Sequence, residues 1–210
     1  MTLTESLVSF TFAVTLLTLT PGLDTALVLR TAANEGSKKA FLAALGINVG
    51  CLVWGAVVAL GLGAVLMASE MAFTLLKWAG AAYLCWLGIN MLLKPRDQMT
   101  AQSSEPAKKS PILGGWFMKG LLGNVLNPKV GVFYVSLLPQ FVATGYPVAA
   151  YTFGLAFIHV IVGIAWLSTL IIATRPLSRW LRRPQVVRTL DRLTGLVFVA
   201  FAVRLATTKR

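Results

Sequence analysis

Charge is scarce in this chain, acidic charge most of all. Seven Asp and Glu stand among 210 residues, and charged residues of both signs make up 12%, about half the ~25% usual in soluble globular chains. So few charges cannot coat a water-soluble particle of this size, and a soluble enzyme does not fit. Histidine occurs once and cysteine twice. Cys51 and Cys85 lie inside apolar stretches and form no CxxC pair, which leaves no zinc, disulfide or redox framework. No Walker sequence occurs, and the spaced glycines follow no strand, so neither a bound nucleotide nor any other cofactor is expected. Met1 to Glu5 carries an acid and no base, unlike a cleaved signal peptide.

What is abundant is apolar sequence, at 57% hydrophobic residues. Six stretches are candidates to cross a hydrocarbon layer that requires about 20 residues of helix: Ser6 to Leu29, Ala40 to Met67, Met71 to Leu93, Leu113 to Leu138, Pro147 to Thr174, and Arg188 to Ala206. The sixth is the weakest. Its apolar centre runs from Leu193 to Val203, and Asp191, Arg192 and Arg204 at its margins are expected to snorkel to the interface. The net charge of +12 would suggest nucleic acid in a soluble protein, but here the bases sit in the gaps between apolar runs. With six crossings, fourteen of the nineteen Lys and Arg fall on one side, between residues 30 and 39, 94 and 119, and 175 and 192. That side is cytoplasmic by the positive-inside rule, which makes both termini periplasmic. The basic tail of Arg204, Lys209 and Arg210 fits this topology badly, and five crossings would put it inside.

The runs divide three and three. Residues 1–93 form one repeat, 94–112 a polar cytoplasmic linker and 113–210 a second repeat, all in one transmembrane domain. Lys77, Gly80 and Tyr83 in the third run share their spacing with Arg192, Gly195 and Phe198 in the sixth. An odd number of helices per half forces the halves into opposite orientation, so the expected fold is an all-α integral membrane protein of two inverted three-helix repeats. The first helix of each half is interrupted, at Pro21-Gly22 and at Asn127-Pro128. Proline removes a backbone donor and clashes with the carbonyl four residues back, so both helices should break there. Freed backbone groups cannot face lipid, and paired breaks therefore point to a central site. Each break carries a charge, Asp24 and Lys129. An ionisable group in mid-membrane costs at least ~2.5 kcal/mol and normally faces a cavity or a partner. The plain structural alternative is an Asp24–Lys129 ion pair that locks the bundle.

At these residues the sequence resembles the LysE/RhtB family of amino-acid exporters, over nearly the whole chain. The matching stretches are TPGLD (Thr20 to Asp24), GSKKAFLAALG (Gly36 to Gly46), KWAGAAYLCWLG (Lys77 to Gly88) and NVLNPKVGVFYVSLLPQF (Asn124 to Phe141). The resemblance implies a proton-driven exporter of amino acids or their analogues in the bacterial inner membrane, with six helices and kinks in the first and fourth. The family usually carries a second proline where Leu23 stands, so the first break is expected to be softer here.

A zwitterion out of water needs both its charges met. Lys129 and the amides at the start of the half-helix after Pro128 suit a carboxylate. Asp24 and the carbonyls freed by Pro21 suit an ammonium, with Asn124 and Asn127 assisting or simply bonding between helices. Asp24 is also the candidate to carry the proton, and His159 a second, although such a histidine is more often a bonded core group. Asn48, Trp54, Tyr83 and Trp86 are weaker candidates to line the cavity. The glycines at 46, 50, 61, 63, 80 and 88 serve close helix contact. The alternatives are a divalent-metal exporter, for which few ligands exist, and an intramembrane thiol carrier using Cys51 and Cys85. The expected partners are an amino acid, protons and the lipid bilayer, and no nucleic acid. The oligomeric state is open, with a homodimer the candidate arrangement.

Overall fold

The computed structural model describes residues 1–68, 70–95, 114–173 and 183–207. The expected linker lies almost entirely outside the described residues, as do residues 174–182 of the basic gap before the sixth run and the last three residues. All six apolar runs are helical. The first splits into α1 (Leu3–Leu19) and α2 (Leu23–Asn34), the second is α3 (Ser37–Ala68) and the third α4 (Glu70–Leu93). The fourth splits into α5 (Gly114–Val125) and α6 (Pro128–Val132), and α6 continues as a π-helical turn, Phe133–Leu137, and a 3-10 turn, Leu138–Phe141. The fifth is α7 (Val148–Ile172) and the sixth α8 (Pro184–Thr207). Among the described residues, Ser37–Gly61 and Val148–Ile172 are each long and apolar enough to cross a membrane alone, and the two bent pairs raise that number to 4. Large apolar side chains on the outside, such as Phe12, Leu60, Phe157 and Leu196, are more than half exposed, as expected of a lipid-facing surface and not of a soluble one.

Local sequence explains the helix ends. Thr2 caps α1: its Oγ1 accepts from the Glu5 amide at 3.3 Å, and the Glu5 carboxylate accepts from the Thr2 amide at 2.9 Å, a reciprocal capping box. At Pro21 the chain turns extended and the axes of α1 and α2 differ by 51°. The second break, where Asn127 caps α6 with Pro128 in its first turn, bends by 52°. The first break, with a single proline, thus bends as far as the second. Pro21 alone removes the donor, and Gly22 sits fully extended at φ −149°, ψ −163°, so no second proline is required. Further on, Pro139 has no amide to give Val135. The helix widens into the π turn just before it and tightens after it, which turns Phe133, Tyr134, Ser136 and Leu137 all inward.

Lipid tails are as apolar as leucine, so close contact rather than water exclusion holds such helices together. α3 and α5 meet through small residues. Room for the Phe117 carbonyl exists because Gly46 has no side chain, and Gly120 leaves the same room for the Ala43 carbonyl. At the α4–α8 crossing, Gly88 and Gly195 face one another, and a β-carbon on either would lie 2.7 Å from the other's carbonyl oxygen. Gly61, by contrast, meets nothing within 4 Å and is no contact glycine. An aromatic cluster closes one end: Phe10 stands edge-on to Phe141 at 5.3 Å, and Phe141 to Phe201 at 4.9 Å. Asp191 does not snorkel. It is 1% exposed and turns into the protein beside Thr194, whose hydroxyl bonds that of Thr20 at the first break.

Candidate functional site

The two breaks meet. Asp24, in the first turn of α2, accepts hydrogen bonds on Oδ2 from Nδ2 of Asn124 at 2.9 Å and of Asn127 at 3.5 Å. Asn124 closes the last turn of α5 and Asn127 caps α6, so both amides come from the opposite break. Lys129 reaches back across, donating from Nζ to the carbonyls of Leu17 and Thr20, each at 2.9 Å, and it acts electrostatically on Asp24. In an unbroken helix the amide of residue 21 would bond the carbonyl of residue 17. Pro21 has no such amide, and the Lys129 ammonium takes its place. Pro21 and Pro128 thus act through the backbone they interrupt, while Gly22 packs beside the lysine, where a β-carbon would lie in ordinary van der Waals contact, 3.8 Å from Nζ.

The amides at the start of α6 are not available to a ligand carboxylate here. Pro128 has none, the Lys129 amide donates to Asn127 Oδ1 at 3.1 Å, and those of Val130 and Gly131 donate to the Asn127 carbonyl. At α2 the first backbone bond runs from the Ala26 amide to the Gly22 carbonyl. The amides of Leu23, Asp24 and Thr25 precede it and have no intrahelical acceptor, as at any helix start.

A cavity of about 50 Å³ opens between these groups. Gly22, Asp24, Asn124, Asn127 and Lys129 line it, with Thr18, Thr20 and Thr25 from the first broken helix, Asn48 and Cys51 from α3, and His159 from α7. Leu17, Ile47, Val130, Trp166 and Leu167 supply its apolar wall. Asn124 is held in turn by its surroundings. Cys51 Sγ approaches Asn124 Oδ1 at 3.8 Å and lies near the Tyr134 hydroxyl. Tyr134 Oη lies 2.9 Å from His159 Nδ1, and the two rings stack at 5.6 Å. Asp24, Asn124, Cys51, Tyr134 and His159 thus follow one another as neighbouring polar side chains inside the bundle. Tyr134 and Cys51 were not legible as site residues, although Tyr134 follows Asn127 by seven residues, two helical turns along one face.

Of the weaker candidates, Asn48 lines the cavity, with Nδ2 donating to the Ala44 carbonyl at 2.8 Å. Trp54 does not line it; its ring lies against Gly131. Tyr83 and Trp86 are also outside it, tilted together at 5.5 Å on α4, with Trp86 59% exposed. Apolar rings on an outward face suit lipid, and nothing in the local sequence distinguishes that face from an inward one.

Gly50 is small because Asn124 needs the room: a β-carbon there would lie 2.6 Å from Asn124 Oδ1 and 2.9 Å from its Cβ. Gly50→Ala is expected to displace Asn124 from Asp24 and, if solute passes through this cavity, to lower its rate of passage by about tenfold, the worth of one hydrogen bond to a charged group, while the purified protein keeps its elution profile. Unchanged initial rates of vesicle uptake would show that the Asn124–Asp24 bond is idle.

A polar cavity where two broken membrane helices exchange hydrogen bonds is an arrangement common among membrane carriers. Comparison with known proteins specifies it further. The family model for LysE type translocators matches residues 15–209, and the chain belongs to that family of multi-pass membrane transporters. It is 35% identical to the leucine efflux protein of Klebsiella pneumoniae, over 90% of this chain and 89% of that one. It is 30% identical to the threonine efflux protein of Salmonella typhimurium, over 89% and 90%, and 29% identical to the homoserine/homoserine lactone efflux protein of the same organism, over 93% of each. No solved structure matches the chain.

Proposed function

We propose that this chain exports small zwitterionic amino acids across the bacterial inner membrane in exchange for protons. The observation that carries the reading is the meeting of the breaks: a carboxylate, two amides and an ammonium from opposite helices converge on one cavity. The relatives named for leucine, threonine and homoserine efflux supply the substrate class. Asp24 meets the substrate ammonium and, once the substrate leaves, a proton. Lys129 and the first-turn amides of α2 meet the carboxylate. His159, linked through Tyr134, serves as a second proton-holding group. One water takes about 10–15 Å³ of such space, so the site holds about four. That suits the smallest amino acids, and a larger one requires the breaks to part.

Two inverted three-helix halves, rocking about this site, account for the architecture. Supporting this, Gly88 and Gly195 are separated along the chain by the same interval as Pro21 and Pro128 and oppose each other symmetrically at the α4–α8 crossing. The repeat in the third and sixth helices is thus better taken from Gly88 and Gly195 than from Gly80 and Gly195. Topology is supported at both ends. The Thr144 amide donates to the Met1 carbonyl at 3.3 Å, so the N-terminus and the connection before α7 share one side, and neither of those two segments carries a basic residue. Lys39 lies 5.9 Å from the Trp116 ring and Lys119 4.0 Å, which gathers the basic gaps at the other, cytoplasmic, end. The metal-export alternative gains no support, because among the described residues no three of His, Cys, Asp and Glu gather to hold an ion. Cys51 and Cys85 are both free thiols, and no contact between them favours a thiol carrier.

The test is uptake of each labelled amino acid into inverted vesicles of acidic and neutral lumen. At least one small amino acid is expected to accumulate, faster with the acidic lumen. No uptake of any amino acid, with the protein present in the membrane, would reject the reading.

A further inference from the structure

The acceptors at the first break make a nest for a primary ammonium, and the protein fills it with its own. An –NH3⁺ group has three donors and no acceptor. Here the Leu17 and Thr20 carbonyls stand 2.9 Å from one such group, the Asp24 carboxylate acts on it electrostatically, and all of these surround the same cavity. The group is Lys129 Nζ, which arrives from the opposite break on a flexible stem.

We infer that Lys129 is a tethered occupant of the ammonium position, displaced by substrate, and that this displacement is what makes the site select zwitterions over simple amines. The inference rests on the reading of Asp24 as the ammonium partner. An incoming amino acid brings an ammonium for the carbonyls and Asp24, and its carboxylate gives the evicted Lys129 a new partner within reach of the same stem. A primary amine without a carboxylate brings only the first half of that exchange. It would leave two cations in one poorly hydrated cavity with a single carboxylate between them, an arrangement that costs far more than one lost hydrogen bond. Lys129 thus rejects amines by leaving itself unpaired when they bind, as a site with buried polar groups rejects an analogue that fails to satisfy them. The occupant also ties the C-terminal end of α1 to the start of α6 until substrate arrives, so the two breaks part only when something replaces it.

The experiment compares the transported amino acid with its decarboxylated amine as competitors of labelled amino-acid binding to the purified, full-length protein in detergent. The wild-type protein is expected to prefer the amino acid by at least about 100-fold, the size of effect expected for leaving a buried charge unpaired. Lys129→Met is expected to reverse this sense: amino-acid binding weakens, and the amine, now facing an empty nest beside Asp24, binds more tightly to the variant than to the wild type. Direct binding of labelled amine provides the readout if the variant no longer retains the amino acid. Lys129→Gln, which keeps a donor for the α1 carbonyls but no charge, should behave likewise and serves if the methionine variant does not fold. A gain of amine binding supports the inference, and its absence in a folded variant of a protein that does bind amino acids overturns it alone. If the wild-type protein binds no amino acid at all, the proposed function falls with it.

Discussion

Asp24→Asn should abolish proton-driven uptake into inverted vesicles while leaving a folded protein. The fold is spared because the substitution is isosteric and an asparagine oxygen can still accept from the amides of Asn124 and Asn127, which now hold Asp24 at 2.9 and 3.5 Å. What is lost is the charge. A substrate ammonium would meet only dipoles, and no carboxyl group would remain at the breaks to take up and release a proton. Loss of charge-assisted bonding alone is worth about 2–3 kcal/mol, or roughly 100-fold in rate, and the coupling should vanish altogether. The measurement is the ratio of initial uptake at acidic and neutral lumen pH. A ratio collapsing to one supports the role of Asp24, and a retained pH-driven rate in the variant refutes it.

The second large effect is structural. Gly46→Val should prevent recovery of a monodisperse protein, whereas Gly61→Val should be silent. A β-carbon at residue 46 falls on the backbone of α5, with the Leu121 nitrogen at 2.8 Å and the Phe117 carbonyl carbon at 2.9 Å. Backbone cannot turn aside as a side chain can, so α3 and α5 must separate, and the cost should reach or pass the ~3 kcal/mol upper end for overpacking. Residue 61 has open space within 4 Å, and an exposed substitution of this kind usually stays within about 0.5 kcal/mol. Yield and melting temperature in detergent check both. Equal behaviour of the two variants would mean that the α3–α5 contact contributes nothing to assembly.

The breaks themselves were legible. Pro21 and Asn127-Pro128 stand in runs too apolar to be loops, and Asp24 and Lys129 stand beside them. Lengths were legible too, and each apolar run became a helix or a broken pair within a few residues of its expected bounds. Facing was not. In water an apolar stripe marks the side turned inward, but in a bilayer both sides are apolar. Tyr83 and Trp86 therefore looked the same in sequence as Tyr134, which turns inward on a π turn that Pro139 creates. The partner of Lys129 was also hidden, because it is backbone: the carbonyls of Leu17 and Thr20 carry no sequence signature beyond the proline that frees one of them. Asp191 misled for a related reason, since a charge near a helix end reads as interfacial whether it turns outward or, as here, into the bundle.

Cys51 offers the most direct test, because it is a native thiol on the wall of the cavity, beside Asn124. With Cys85 replaced by serine, the rate at which a small membrane-permeant thiol reagent labels Cys51 should fall when the transported amino acid is added. It should not fall in Asp24→Asn. If the amino acid is transported yet leaves the labelling of Cys51 unchanged, substrate does not pass through the meeting of the two breaks, and the account is wrong.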